Sequence, residues 1–181
     1  LKPDYAEAHN NLGNTLQELG RLEEAKASYT QAIALKSNFA EAHNNLGNTL
    51  QELGRLEEAE ASCRQAIAFK SDFAEAHSNL GVTLQELGRL EEAEASFRQT
   101  IILKSDYAQA HQYLAEIKTF DKRDEQFFQM QKLSLDELCS DEQLCHLSFA
   151  LGKASEDLGD FEQSFKYYCE GNVLRKKFLN Y

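Results

Sequence analysis

Residues 6–25 read AEAHNNLGNTLQELGRLEEA, residues 40–59 repeat the same letters, and residues 74–93 read AEAHSNLGVTLQELGRLEEA. The copies start 34 residues apart, and a fourth opens at Ala108 before the pattern degenerates. A unit of this length folds as a helix, a turn and a second helix, and buries its apolar stripe only by stacking on its neighbours. In the first copy Ala8, Leu12, Leu16 and Leu19 recur at helical spacing and stop at Gly20, a residue suited to a left-handed helix end. A second helix is predicted from Leu22 to about Leu35. Glu23 and Glu24 lie in its first turn and Lys36 in its last, which complements the helix dipole, and Lys70 and Lys104 repeat that placement.

Small and large residues fall at fixed slots: Leu12, Gly13, Gly20, Ala25, Tyr29 and Ala32, then Leu46, Gly47, Gly54, Ala59, Cys63 and Ala66, then Leu80, Gly81, Gly88, Ala93, Phe97 and Thr100. This pattern resembles the tetratricopeptide repeat (TPR) family. The resemblance implies an all-α fold, a right-handed TPR solenoid of helix-turn-helix hairpins. A regular array is expected over residues 1–118, with repeats starting at 6, 40, 74 and 108. An irregular helix and connection would occupy 119–140, and a closing TPR-like hairpin 141–181. Two features depart from the family pattern. His9, His43, His77 and His111 fill its usual early aromatic slot, and Ser37, Ser71 and Ser105 replace the usual proline near the repeat end.

Past Thr119 the register breaks, and a helix from about Asp124 to Leu133, carrying Phe127, Phe128 and Met130, is predicted where a fourth second helix would stand. Ser140 with Gln143 forms a capping box that starts the next helix. Leu151, Gly152, Gly159 and Tyr168 then return to the signature slots. The stretch from His146 to Lys177 is similar to the one that precedes the catalytic domain of bacterial TPR-sulfotransferase proteins. That likeness implies a repeat arm without the enzyme, since no sulfonate-donor loop of P-R-S-G-T type occurs. The chain starts at Leu1 in mid-pattern without an initiator Met, so an excised or processed piece of a longer protein is expected.

The formal charge is −11, spread along the chain: residues 1–118 hold 11 Lys and Arg against 18 Asp and Glu, and residues 119–181 hold 8 against 12. Such a surface repels phosphate backbones and anionic headgroups, so nucleic acid and membrane surfaces are excluded as partners and neutral or basic protein segments are favoured. No apolar run is long enough to span a bilayer, and no signal peptide is evident. Cys63, Cys139, Cys145 and Cys169 form no metal or disulfide framework. A reducing, cytoplasmic location and a structure without metal or cofactor are expected.

No Gly-rich phosphate loop, H-E-x-x-H or G-x-S-x-G motif occurs, so no catalytic residue is assigned and the chain is not expected to be an enzyme by itself. The periodic histidines read as core-lining side chains, one per repeat, rather than as converging ligands. A polar stripe carries the functional reading. Glu7, Asn11, Asn14 and Glu18 align on one helix face, as do Glu41, Asn45, Asn48 and Glu52, then Glu75, Asn79, Val82 and Glu86, then Gln109, Tyr113 and Glu116. In TPR proteins this face lines the concave groove.

Asn costs on the order of 0.5 kcal/mol relative to Ala inside a helix, whereas its carboxamide matches the C=O and N–H of an extended peptide. The ladder Asn11, Asn45 and Asn79 is thus predicted to hold a ligand main chain, as similar ladders do in O-linked N-acetylglucosamine transferase. The alternative is a solvated polar face copied by duplication, since the first two repeats differ at five positions. The chaperone-binding branch of the family uses Lys and Arg here to clamp a C-terminal carboxylate. Glu7, Glu41 and Glu75 stand there instead, so an extended neutral or basic segment is expected. At the C-terminus Arg175, Lys176 and Lys177 suit a helix end. Phe178, Leu179 and Tyr181 are apolar residues expected to contact a downstream domain or a second copy of the chain.

Overall fold

The computed structural model describes residues 3–178 and contains, among them, ten α-helices and no strand. The helices are α1 (Pro3–Glu18), α2 (Leu22–Leu35), α3 (Ala40–Glu52), α4 (Leu56–Phe69), α5 (Ala74–Glu86), α6 (Leu90–Leu103), α7 (Ala108–Ile117), α8 (Glu125–Ser134), α9 (Asp141–Asp157) and α10 (Phe161–Phe178). They divide into two compact units, residues 1–99 and 100–181. Leu179 and Tyr181, expected as contact residues, lie outside the described residues. No described helix is long and apolar enough to cross a membrane.

In the first unit each hairpin closes on one glycine. A Cβ built on Gly13 would lie 2.5 Å from the Tyr29 ring, one on Gly47 2.6 Å from Cys63 Sγ, and one on Gly81 2.5 Å from the Phe97 ring. Tyr29, Cys63 and Phe97 are fully buried, so the missing methyl lets the second helix seat its large side chain against the backbone of the first. Burial pushes the Cys63 thiol up to about 12, with Glu60 adding to the effect, as befits a core residue rather than a reactive one. The turn between the two helices uses Gly20, Gly54 and Gly88 at φ +70, +72 and +75, a conformation open to glycine with little strain.

Successive hairpins stack through small clusters: Ala6, Ala32, Phe39 and Ala42 between the first and second, Ala40, Ala66, Phe73 and Ala76 between the second and third. Leu46 adds to the stack by packing on Leu16, Ala25 and Tyr29. The lysines expected in the last turns sit elsewhere. Lys36 and Lys70 are C-cap residues just past the helices, and their ammonium groups lie 4.4 Å from the centroids of Phe39 and Phe73. Each cation thus stands at its helix end and over a ring that packs the next hairpin.

The second unit is built differently. Here α7 packs mainly on α9, and α8 covers α9 instead of pairing with α7 as a fourth second helix would. The core is Ala115, Phe120, Phe127, Met130, Leu147, Ala150, Leu151 and Ala154. Two substitutions explain the change. Ala115 stands in the slot of Gly13, Gly47 and Gly81, closing the nest for a partner ring, and Lys122 stands in the slot of the turn glycines. Asp124 caps α8 by accepting from Phe127 N at 3.0 Å, and Ser140 with Gln143 forms the predicted capping box of α9. The α9–α10 hairpin regains the glycine contact: a Cβ on Gly152 would meet the Tyr168 ring at 2.8 Å.

Gly81→Ala should destabilise the protein by about 1–3 kcal/mol, because the added methyl must displace the Phe97 ring from a full core. Urea denaturation followed by circular dichroism reads the change, and an unshifted midpoint would contradict the glycine-nest account.

Candidate functional site

The face shared by α1, α3 and α5 collects the predicted polar stripe. Glu7, Asn11, Asn14 and Glu18 are exposed, Asn45, Asn48, Asn79 and Val82 are half-buried, and Glu41, Glu52, Glu75 and Glu86 are exposed. An open groove of about 380 Å³ gathers Asn14, Gln17, Glu18, Asn45 and Glu52. Tyr113 stands in the second unit, on α7, where its hydroxyl accepts from Gln109 Nε2 at 2.9 Å.

The asparagine ladder has a structural job that the spacing alone did not reveal. Asn45 Nδ2 donates to Asn10 Oδ1 at 3.1 Å and to Asn14 Oδ1 at 3.0 Å, and Asn79 Nδ2 donates to Asn44 Oδ1 at 2.9 Å. Asn10 and Asn44 are buried. Amide hydrogens that were expected to face a ligand instead clasp the preceding hairpin, and Asn45 has both of its donors committed. Asn11 is exposed and its side chain has no such bond among the described residues.

A second row joins the hairpins beside it. Gln17 Nε2 donates to Glu52 Oε1 at 2.6 Å, and Gln51 Nε2 donates to Glu86 Oε1 at 2.7 Å. Asn48 Nδ2 also donates to Glu52 Oε1, at 3.2 Å. The Gln17 carbonyl oxygen is held in turn by Thr49 Oγ1 at 3.1 Å and lies 3.0 Å from the Tyr29 hydroxyl, which is 2.8 Å from Asn14 Oδ1. Burial, with the Glu52 and Glu18 charges, pushes the Tyr29 phenol up to about 12, so it stays a neutral donor. Sequence reasoning passed over Asn10, Asn44, Gln17, Gln51 and Thr49, although each recurs or is replaced at the same period as the stripe, and it read Tyr29 as a packing residue alone.

The carboxylates differ in their surroundings. Glu41 is offset by Lys70 Nζ at 3.6 Å. Glu18, Glu52 and Glu86 are the last residues of α1, α3 and α5, and none of the three joins an ion pair among the described residues. A negative charge at the negative end of a helix dipole is disfavoured, by about 0.3–1 kcal/mol at an exposed end. Neutral amides of Gln17, Asn48 and Gln51 donate to Glu52 and Glu86.

The periodic histidines serve the turns between repeats. His43 Nε2 lies 3.0 Å from Ser37 O, His77 Nε2 3.1 Å from Ser71 O, and His111 Nε2 3.0 Å from Ser105 O. A carbonyl only accepts, so each ring carries its proton on Nε2 and ties the turn where a proline would otherwise stiffen it. No group of three or more potential ligands is placed to hold a metal among the described residues. His111 is fully buried, and its Nδ1 has no partner.

Residues 13–54 match the TPR repeat family model, and residues 38–102 match the tetratricopeptide repeat family model. Residues 13–102 are thus similar to tetratricopeptide repeats. No curated protein sequence matches it. Among solved structures it resembles the crystal structure of MamA at 20% identity and a TM-score of 0.67, covering 93% of this chain and 97% of that one, a likeness of fold. It is also similar to the second TPR domain of human RPAP3 in complex with the HSP70 peptide SGPTIEEVD, at 29% identity and a TM-score of 0.62, over 64% of this chain and 98% of that one. The second TPR of Spaghetti (RPAP3) bound to the HSP90 peptide SRMEEVD is 28% identical, with a TM-score of 0.55, over 56% of this chain and 94% of that one.

Two measurements check this geometry. Asn45→Ala should cost about 1–2 kcal/mol in urea denaturation, because it leaves buried Asn10 without its donor; a change within error would leave the clasp without energetic weight. Burial holds the His111 imidazole below its ordinary value against the opposing Ser105 hydrogen bond. The unfolded chain binds that proton more readily, so the His111 contribution is complete above the unfolded value of about 6.5 and is lost as pH falls below it. Unfolding midpoints taken from pH 7.5 to 5 should fall, and fall less in His111→Phe.

Proposed function

We propose that the first unit binds an extended, basic segment of a protein partner across the face shared by α1, α3 and α5, and that the chain acts as a non-catalytic docking scaffold. The observation that carries this reading is the row Glu18, Glu52 and Glu86. Three carboxylates recur at the same helix end, where the dipole opposes them, and the groups that donate to Glu52 and Glu86 are neutral amides. A ligand ammonium or guanidinium would supply the missing countercharge. Gln17 and Gln51 hold two of the three carboxylates in place, so a cation would meet pre-oriented acceptors.

The peptides named with the RPAP3 domains, SGPTIEEVD and SRMEEVD, end in an acidic run. Their similarity to this chain supports peptide binding as the mode of action, while the carboxylate row here argues for a ligand of opposite charge. The ligand contacts proposed on this face are Glu18, Glu52 and Glu86 with Asn11, Asn14, Asn48 and Val82 beside them. Glu7, Glu41 and Glu75 add negative potential at the other end of the same helices, Glu41 the least because Lys70 offsets it. Asn45 and Asn79 contribute carbonyl oxygens while their amide hydrogens hold the stack. The docking-arm alternative, in which this face presents a segment to a fused sulfotransferase, rests on the likeness of residues 146–177 alone. A cytoplasmic setting belongs to the same reading.

A fluorescent lysine-rich dodecapeptide should bind at least about tenfold more tightly than a peptide ending in EEVD, and the difference should shrink as salt is raised. Replacing Glu18, Glu52 and Glu86 together by Gln should erase that preference without unfolding the protein. Equal affinity for both peptides, or tighter binding of the acidic one, would refute the charge assignment.

A further inference from the structure

The helix α10 carries a face that the regular repeats do not have. Phe165 is 70% exposed and Val173 60%, with Cys169 exposed between them. The corresponding positions in the earlier second helices are Lys26, Glu60 and Glu94, then Thr30, Arg64 and Arg98, then Ala34, Ala68 and Ile102. Those helices place charge or a hydroxyl at the first two positions, as with Glu60, which pairs with Arg64 and Arg89. Here an aromatic ring and a thiol replace them. The buried side of α10, with Ser164, Gly171 and Leu174, is on the opposite side of the helix, so core packing does not account for these residues.

Charge completes the pattern. At 100° per residue, Glu162, Phe165, Val173 and Lys176 all lie within about 40° of Cys169 around the helix axis. Glu162 and Lys176 are both exposed and stand seven residues to either side of Cys169, about 10 Å along the axis. From end to end this face reads acid, aromatic, thiol, aliphatic, base. Turned end for end about Cys169 it complements itself: Glu162 meets Lys176, and Phe165 meets Val173. A two-fold interface requires this self-complementarity.

We propose that α10 is a homodimerisation helix, pairing antiparallel at a shallow angle with α10 of a second copy, with Cys169 of each chain on the two-fold axis. Phe165 and Val173 from both copies form the apolar centre, and two Glu162–Lys176 pairs set the direction. The intramolecular Lys166–Glu162 contact of 2.7 Å is solvent-exposed and exchanges readily for the intermolecular one. The surface is remote in sequence from the proposed peptide face, so two chains joined this way would carry two such faces and gain avidity for a ligand with two basic segments.

Sedimentation equilibrium on the 181-residue chain, over about 1 μM to 1 mM, should give a monomer–dimer equilibrium. Phe165→Asp should weaken it at least about tenfold, with an unchanged helical circular dichroism spectrum. Glu162→Lys alone and Lys176→Glu alone should each weaken the dimer, by bringing like charges together, and the double variant should restore it. In a Cys139→Ser background, diamide, which takes two electrons and two protons from a thiol pair, should yield a Cys169–Cys169 disulfide dimer that Cys169→Ser abolishes. A monomer throughout the range would overturn the proposal. So would a dimer indifferent to Phe165→Asp, or one in which the double charge reversal is weaker than either single change. Peptide binding is scored separately, so a failed dimer leaves the peptide assignment standing and the reverse holds too.

Discussion

The closeness of two helices within a hairpin is the constraint on which the first unit rests. Gly13, Gly47 and Gly81 lack the methyl that would strike Tyr29, Cys63 and Phe97, so the second helix packs directly against backbone. That one distance, repeated, lets the next hairpin arrive in the same register each time. It also lets Tyr29 reach through to Asn14 and Gln17, joining the core to the polar face. The second unit makes the same point by contrast. With Ala115 in the glycine slot, α7 packs on α9, and α8 finds a different place.

Once hairpins stack in register, one set of polar contacts between them shares a single offset. Asn10 meets Asn45, Gln17 meets Glu52, Asn44 meets Asn79 and Gln51 meets Glu86, always 35 residues apart. The offset is one more than the period, because a residue on one first helix faces the next position along on its neighbour. Half-buried Asn–Asn bonds then hold the stack from the core side, while the Gln–Glu bonds leave carboxylate on the surface. Neighbouring rows of one helix face thus differ, with Asn10 and Asn44 buried and Glu52 and Glu86 exposed.

This division explains which parts were legible beforehand. Repeat length, the end of α1 and the span of α2, the positive-φ glycine Gly20 and the Ser140 capping box depend on residues close in sequence, and they could be read directly. The Asn45 clasp depends on a 35-residue pairing that appears only when two hairpins are placed together, so the asparagines looked free. Lys36 sits one residue past its helix, too fine a boundary for spacing to resolve, and its aromatic partner Phe39 belongs to the start of the next hairpin. Phe165 was hidden for another reason. Its meaning depends on knowing that Ser164, Gly171 and Leu174 take the buried side of α10, and the aromatic residues of that helix point in several directions.

The central claim is that the Gln–Glu row on the first helices is the ligand-facing surface. It can be tested residue by residue by two-dimensional NMR of the labelled protein during titration with a lysine-rich peptide. The account predicts that the side-chain amide signals of Gln17, Gln51 and Asn48 move, with backbone shifts confined to the last turns of α1, α3 and α5. Movement concentrated on α2, α4 and α6, or saturation with those amide signals unmoved, would contradict it.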